Sequence, residues 1–288
     1  MLTSFIKAKD VREKFDQEFN KPEFLVNKPL LVPPLSIRSS KTIGTAFDYL
    51  LRFRLQRLNP QSIERRPWIA EQCLNFYVEE EKHLWPADKV NFAKIKKIIS
   101  DAKTSLSSFL ENGILSDAII KSALELATID SYKRSGRGEE LIGITHHEDV
   151  QELRSLYQVV RDEEFKTENL CLLNPTFGSA SELVGGADAD LVIDETLIDI
   201  KTTKSLKLEA AAFRQIVGYY ALHQLGSVGE LEPKAKISKL AIYFSRFGYM
   251  HTMNVSDIVN PKTFPDFLIW FEKRAKEEFP PEGIWTPC

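Results

Sequence analysis

The stretch from Gly186 to Lys201 carries acids where strand interiors ordinarily carry Val, Ile or Thr. It reads as two short β-strands joined by a tight polar turn at Asp194-Glu195-Thr196. Side chains alternate along a strand, so Asp188 and Asp190 share one side, and Asp199 and Lys201 share one side of the partner strand. Closing the hairpin sets Asp190 opposite Asp199. Two carboxylates held together repel unless a cation or a proton lies between them. A divalent cation with a lysine beside it is what phosphodiester cleavage needs: an activated water, charge neutralisation and help for the leaving oxygen.

This pattern makes Asp190 and Asp199 candidate ligands for Mg²⁺ or Mn²⁺, with the backbone carbonyl of Ile200 as a third oxygen. Mg²⁺ keeps several waters, so two or three protein oxygens suffice. Asp188 is an alternative to Asp190, which directly precedes the apolar run Leu191-Val192-Ile193. Lys201 would orient the attacking water or stabilise developing negative charge. The competing account is a solvent-facing hairpin on which Asp199 and Lys201 form a surface ion pair. The neighbours Leu191, Val192, Ile193, Leu197, Ile198 and Ile200 argue instead for strands covered on both faces, where an unpaired carboxylate is costly.

Asp190, the eight residues after it and Asp199-Ile200-Lys201 resemble the PD-(D/E)XK nuclease signature. Gln215-Ile216-Val217-Gly218-Tyr219 resembles the QxxxY motif of the RecB-like branch of that superfamily. Gly44-Thr45-Ala46-Phe47-Asp48 is similar to the opening helical motif of the branch, a Gly-Thr-Ala-type turn with a metal-binding residue four positions after the glycine. That residue is often His, and here it is Asp48. The resemblance covers core segments and not the helical stretch between them. It implies a restriction-endonuclease-like core, Mg²⁺ or Mn²⁺ as cofactor, and DNA as substrate. It also places Asp48 with the metal ligands, and Gln215 and Tyr219 at the site.

The residues themselves leave choices open at these positions. Asp48 also suits an i,i+4 ion pair with Arg52. Phe213, Ile216, Val217 and Tyr220 form an apolar stripe, with Gln215 and Tyr219 on the opposite face of a helix from about 208 to 225. Those two either form an inconsequential surface pair or sit by the metal site, bonding a phosphate or bracing Lys201. Arg214 would then face a nucleic-acid backbone.

The positioning elements follow from periodicity and breakers. Residues 27–34 form a Pro-rich connector. Thr42 is placed to cap a helix from about 43 to 58, ended by Asn59-Pro60. One or two strands are expected around 68–78. Helices are expected over 89–111, 115–132 and 147–160. Strands follow at 170–173, from about 181, at 240–244 and at 249–255, the last two turning near Arg246-Phe247-Gly248. A final helix spans about 261–278. The expected architecture is an α/β mixed sheet flanked by helices, with 1–60 and 166–288 forming the core and 61–165 a mainly helical insertion.

Size and composition bound the rest. The 288 residues are 43% hydrophobic and 27% charged, an ordinary globular profile. No apolar run is long enough for a membrane span and no secretory h-region precedes the fold, so a cytoplasmic location without membrane partners is expected. Cys73, Cys171 and Cys288 have no metal or disulfide spacing. A net charge of −3 leaves nucleic-acid binding to local patches such as Lys201, Lys204 and Lys207, or Arg52, Arg54 and Arg57. His146-His147-Glu148 lies at a helix start, a common place for such residues, and the loop 134–138 is basic and flexible. No GxxxxGK[ST] or G-x-S-x-G stretch occurs, which argues against a P-loop motor or a serine hydrolase. The leading expectation is a metal-dependent DNA nuclease, with protein partners of a nucleic-acid-processing or defence complex. The alternatives are a non-catalytic nucleic-acid-binding scaffold that keeps the fold and an RNA-directed nuclease.

Overall fold

The computed structural model describes residues 1–79, 88–135 and 139–280. Helices α1 (Leu2–Phe5) and α2 (Lys9–Glu18) come first. Next are α3 (Ser40–Leu58), α4 (Ile69–Glu79), α5 (Asp88–Asn112), α6 (Asp117–Ser135) and α7 (His147–Gln158). Strand β1 (Cys171–Leu173), the short α8 (Ser179–Glu182), β2 (Leu191–Ile193) and β3 (Thr196–Lys201) then lead into α9 (Ala210–Leu225). The chain closes with β4 (Lys239–Phe244), β5 (Tyr249–Asn254), α10 (Val255–Ile258) and α11 (Phe264–Glu278).

The strands form one mixed five-stranded sheet in chain order, with β3 and β4 its parallel pair. A parallel pair needs a crossover, which α9 supplies. Alternation along the strands builds two cores. Leu191, Ile193, Ile198, Ala241 and Tyr243 pack with α3 and the helices from α4 to α7. Val192, Leu197, Leu240, Ile242 and Phe244 pack with α9, α1, α2 and α11 on the other side. Asp199 and Lys201 share parity with Leu197, so they project to the α9 side.

The acids of the β2–β3 turn have work of their own. Asp194 adopts φ 51°, a left-handed conformation that Asp tolerates. Its Oδ1 accepts from the Thr167 hydroxyl at 2.6 Å and the Leu170 amide at 3.3 Å. Glu195 accepts from Lys236 at 2.8 Å and Ser238 at 2.5 Å. Gly248, at φ 51° in the β4–β5 turn, is required for space as well, because a Cβ there would sit 2.8 Å from the Val159 carbonyl oxygen.

Residues 30–38 are tied down by buried charge. Arg246 and Glu152 form an ion pair at 2.5 Å, both about 1% exposed. Glu152 also accepts the amides of Leu35 and Ser36, each at 2.6 Å, while the Arg246 carbonyl accepts those of Leu31 and Val32. Arg38 pairs with Asp149 at 2.8 Å beside them. The Pro-rich connector lacks regular structure, yet these bonds seat it on α7 and the β4–β5 turn.

Several expectations are corrected. Residues 69–79 are helical, not extended: the Glu71 carboxylate accepts the Trp68 amide at 2.9 Å, and Ala70 and Cys73 turn to the core at helical spacing. The strand expected from Ser181 is the short α8, where the Ser181 hydroxyl bonds the Phe177 amide and the Ala187 carbonyl. Ser39, not Thr42, caps α3, its oxygen accepting the Thr42 amide at 3.1 Å. Residues 80–86, residues 136–138 of the 134–138 loop and Cys288 lie outside the described residues. Cys73 and Cys171 are buried free thiols. Among the described residues, no helix is long and apolar enough to cross a membrane.

Candidate active site

The antiparallel register pairs Leu191 with Ile198. One step further, Asp190 faces Asp199 at the point where β2 stops and β3 continues alone. That leaves one edge of residues 199–201 without a strand neighbour, and Asp190 occupies it: its Oδ2 accepts the Ile200 amide at 2.6 Å. The N–H and C=O of a strand residue face the same edge, so the Ile200 carbonyl is turned to the Asp190 side too.

Asp199 is 1% exposed, and Lys201 reaches it with Nζ 3.1 Å from Oδ1 and 2.8 Å from Oδ2. The ammonium also donates to Gln215 Oε1 at 2.9 Å, and Gln215 Nε2 donates to the Tyr219 hydroxyl at 2.8 Å. Lysine only donates, so the amide oxygen of Gln215 must face it and the amide nitrogen must face Tyr219. Tyr219 accepts through its hydroxyl oxygen and retains its own proton. Its ring stacks on Phe177 with centroids 5.6 Å apart. Asp199, Lys201, Gln215 and Tyr219 thus form one hydrogen-bonded chain from β3 to α9.

Asp48 arrives from the opposite side of the sheet. The N-terminal part of α3 lies over the end of β3, since a Cβ on Gly44 would meet Thr202 at 3.5 Å. Thr202 is itself bonded to Ser245 at 2.9 Å. Asp48 follows Gly44 by one helical turn on the same face. Arg52 holds Asp48 Oδ2 through Nε at 3.1 Å and Nη2 at 3.0 Å, leaving Oδ1 buried with no hydrogen-bond partner. Arg52 also bonds Glu64, which in turn accepts from Gln56 at 2.6 Å.

Confinement of these charges shows in their acidities. Asp190 keeps some solvent contact but is ringed by protein. That enclosure, then the charges of Asp199 and Asp48, push its carboxyl well above the usual carboxylate range, against the Ile200 amide and Lys201. Burial raises Asp199 despite the opposing pull of Lys201. For Lys201, burial works against the ammonium, but Asp199 and then Asp190 outweigh it and raise its pKa. Lys201 is therefore a fixed cation and not a base near neutral pH.

Tested against a divalent cation, the donors fit in kind. They comprise the unbonded oxygen of Asp48, Oδ2 of Asp199 (ion-paired but without a hydrogen bond), the carboxylate of Asp190 and the Ile200 carbonyl. All are hard oxygens, and the carboxyl groups repel one another without a cation. Among the described residues, however, no three Asp, Glu, His or Cys side chains are arranged as a ready-made cage. Any cation here would keep waters in its shell.

Other sequence candidates fall elsewhere. Asp188 precedes β2, and its Oδ1 pairs with Arg66 at 3.2 Å. Gly44 to Asp48 lies within α3, inside the helix expected over about 43–58. Arg214 forks onto Asp16 of α2 at 2.6 and 2.8 Å instead of facing outwards. In the cluster Arg52, Arg54 and Arg57, Arg54 holds Asp162 and two carbonyls, Arg57 the carbonyls ending α5, and Arg52 the acids Asp48 and Glu64. Helix α9 is buried almost all round, not amphipathic, because the sheet covers one side and α1, α2 and α11 the other. Tyr219 is 6% exposed. Glu64 was not anticipated, and no local pattern marks it. A cavity of about 340 Å³ between α2 and α11 contains none of the site residues.

Comparison with protein-family models, with curated proteins and with solved structures returned no match.

Proposed function

We propose that this chain is a divalent-metal-dependent nuclease of the PD-(D/E)XK superfamily, RecB-like branch, hydrolysing DNA on a restriction-endonuclease-like core. One observation carries the reading: Asp190 and Asp199 face one another at the end of β2, with Lys201 bridged from Asp199 to Gln215 and Tyr219. These contacts join the residues to which the sequence signature points, which supports the reading.

Asp190, Asp199, the Ile200 carbonyl and Oδ1 of Asp48 would hold Mg²⁺ or Mn²⁺. When bound, the ion supplies an acidified water and neutralises charge gathering on the phosphate. The protein's own groups do the positioning. The Ile200 amide fixes the Asp190 carboxylate. Asp199 and Gln215 hold Lys201 Nζ from two sides, so the ammonium is aimed before substrate arrives and stabilises negative charge at no reorganisation cost. Gln215 is in turn oriented by Tyr219, whose phenolic proton is free to donate to a phosphate oxygen. Lys201 stabilises charge and orients water.

The test is cleavage of single- and double-stranded DNA and of RNA with Mg²⁺ or Mn²⁺, comparing wild type with Lys201→Ala. A loss of about a hundredfold in kcat is expected for the variant. Equal rates in both proteins would refute the assignment. A second reading is a nucleic-acid-binding scaffold without catalysis. That reading requires salt-sensitive binding, indifferent to divalent metal, and no cleavage.

A further inference from the structure

We infer that Arg52, shared between Asp48 and Glu64, is a positioning residue that presents Oδ1 of Asp48 to a divalent cation. The inference rests on the nuclease reading and adds residues that neither the motif nor the hairpin contains. An i,i+4 Asp–Arg pair on a helix is usually a weak surface contact that competes with any other use of the acid. Here the pair has a different geometry and a different consequence.

Both contacts from Arg52, through Nε and Nη2, fall on the same oxygen, Oδ2. A symmetric fork would have occupied both oxygens and removed Asp48 from the site. The remaining guanidinium nitrogen, Nη1, is bonded to Glu64. Glu64 is held from behind by Gln56 at 2.6 Å. The Tyr49 ring lies under the guanidinium at 4.4 Å, and its hydroxyl is fixed by both oxygens of Asp130 at 3.1 Å. Arg52 is 3% exposed, so it has no freedom to swing into a symmetric fork.

Two results follow from that arrangement. The Asp48 carboxylate cannot rotate, so its unbonded oxygen keeps one direction. Because Glu64 takes part of the guanidinium charge, Asp48 is not fully neutralised and retains attraction for a cation. The ion pair and the ligand role, alternatives on sequence grounds, become parts of one device.

A double-mutant cycle tests this, with Mn²⁺ alone as the probe in isothermal titration and thermal melts confirming that each protein is folded. Arg52→Lys keeps the charge but loses the fork, and should weaken Mn²⁺ binding about tenfold. Glu64→Gln, a milder change, should weaken it about threefold. Arg52→Lys added to Asp48→Asn should weaken binding no further than Asp48→Asn alone, since Arg52 acts only through Asp48. A purely structural Arg52 would instead lower the melting temperature and leave the affinities additive or unchanged, which overturns the inference. Wild type that binds Mn²⁺ as tightly as Asp48→Asn overturns it too, while leaving the nuclease reading in place. Wild type that binds no Mn²⁺ removes both.

Discussion

Replacing Asp190 by Asn should make the metal-free protein more stable while removing its response to Mg²⁺. Asn retains an oxygen for the Ile200 amide, now 2.6 Å from the carboxylate. Exchanging a charged acceptor for a neutral one costs about 1 kcal/mol. Against this stands relief of repulsion from Asp199 and Asp48, the two acids that raise Asp190. Two unit charges about 4 Å apart interact by about 4 kcal/mol at an effective dielectric of 20. Lys201, in contact with Asp199, cancels much of that, so a net gain of about 1–2 kcal/mol remains. At about 2–4 °C per kcal/mol, the variant should melt several degrees above wild type in EDTA. Wild type in Mg²⁺ at about a hundred times Kd should gain about 2.7 kcal/mol, which reverses the order. Calorimetry of both proteins, with and without Mg²⁺, reads all four values. If Asp190→Asn melts below wild type in EDTA and gains as much from Mg²⁺, the site has been misread.

Three further outcomes concern the scaffold. His223 is 2% exposed, and burial, then Lys234, lower its pKa to about 4 from 6.5. Its stabilising contribution is complete above pH 6.5 and is lost as pH falls through 4. That loss is about 3 kcal/mol in urea unfolding, and His223→Gln should lack it. Asp130 moves the other way, raised by burial to about 7. Its charge therefore disfavours the fold above pH 7 and not below pH 4, so Asp130→Asn should gain about 4 kcal/mol relative to wild type between those limits. Glu152→Ala leaves Arg246 buried and unpaired and should cost about 3–5 kcal/mol, seen as a fall in melting temperature of roughly 10 °C.

What could be seen without coordinates was local. Alternation along two strands sets Asp190 across from Asp199, and i,i+4 spacing sets Gln215 beside Tyr219; both rules depend only on backbone geometry. The helices over 88–112 and 117–135 are also legible from their periodicity and the Asn112-Gly113 break. Partners brought in by folding were not legible. Arg214 meets Asp16 from 198 positions away, and Glu152 meets residues more than a hundred positions earlier. Helix α9 showed a polar face because Gln215 bonds both Lys201 and Tyr219 inside the protein, a use of polarity that a burial pattern reads as solvent contact. Residues 69–79 misled for a related reason: aromatic and β-branched residues suggested strand, and packing of Ala70 and Cys73 overrode that preference.

The seat of α9 has a consequence for biosynthesis. A Cβ on Gly218 would lie 3.2 Å from the Leu2 side chain, so the residue between Gln215 and Tyr219 rests against the first helix of the fold. Phe5, Phe15 and Phe19 of that same layer interlock with Phe264, Phe267 and Phe271 of α11. On a translating ribosome the early segment must wait for α11 to emerge before this aromatic layer can close. The layer behind the glutamine and tyrosine brace of Lys201 is therefore complete only once α11 has been made, and a nascent chain halted before α11 would carry that brace without its full backing.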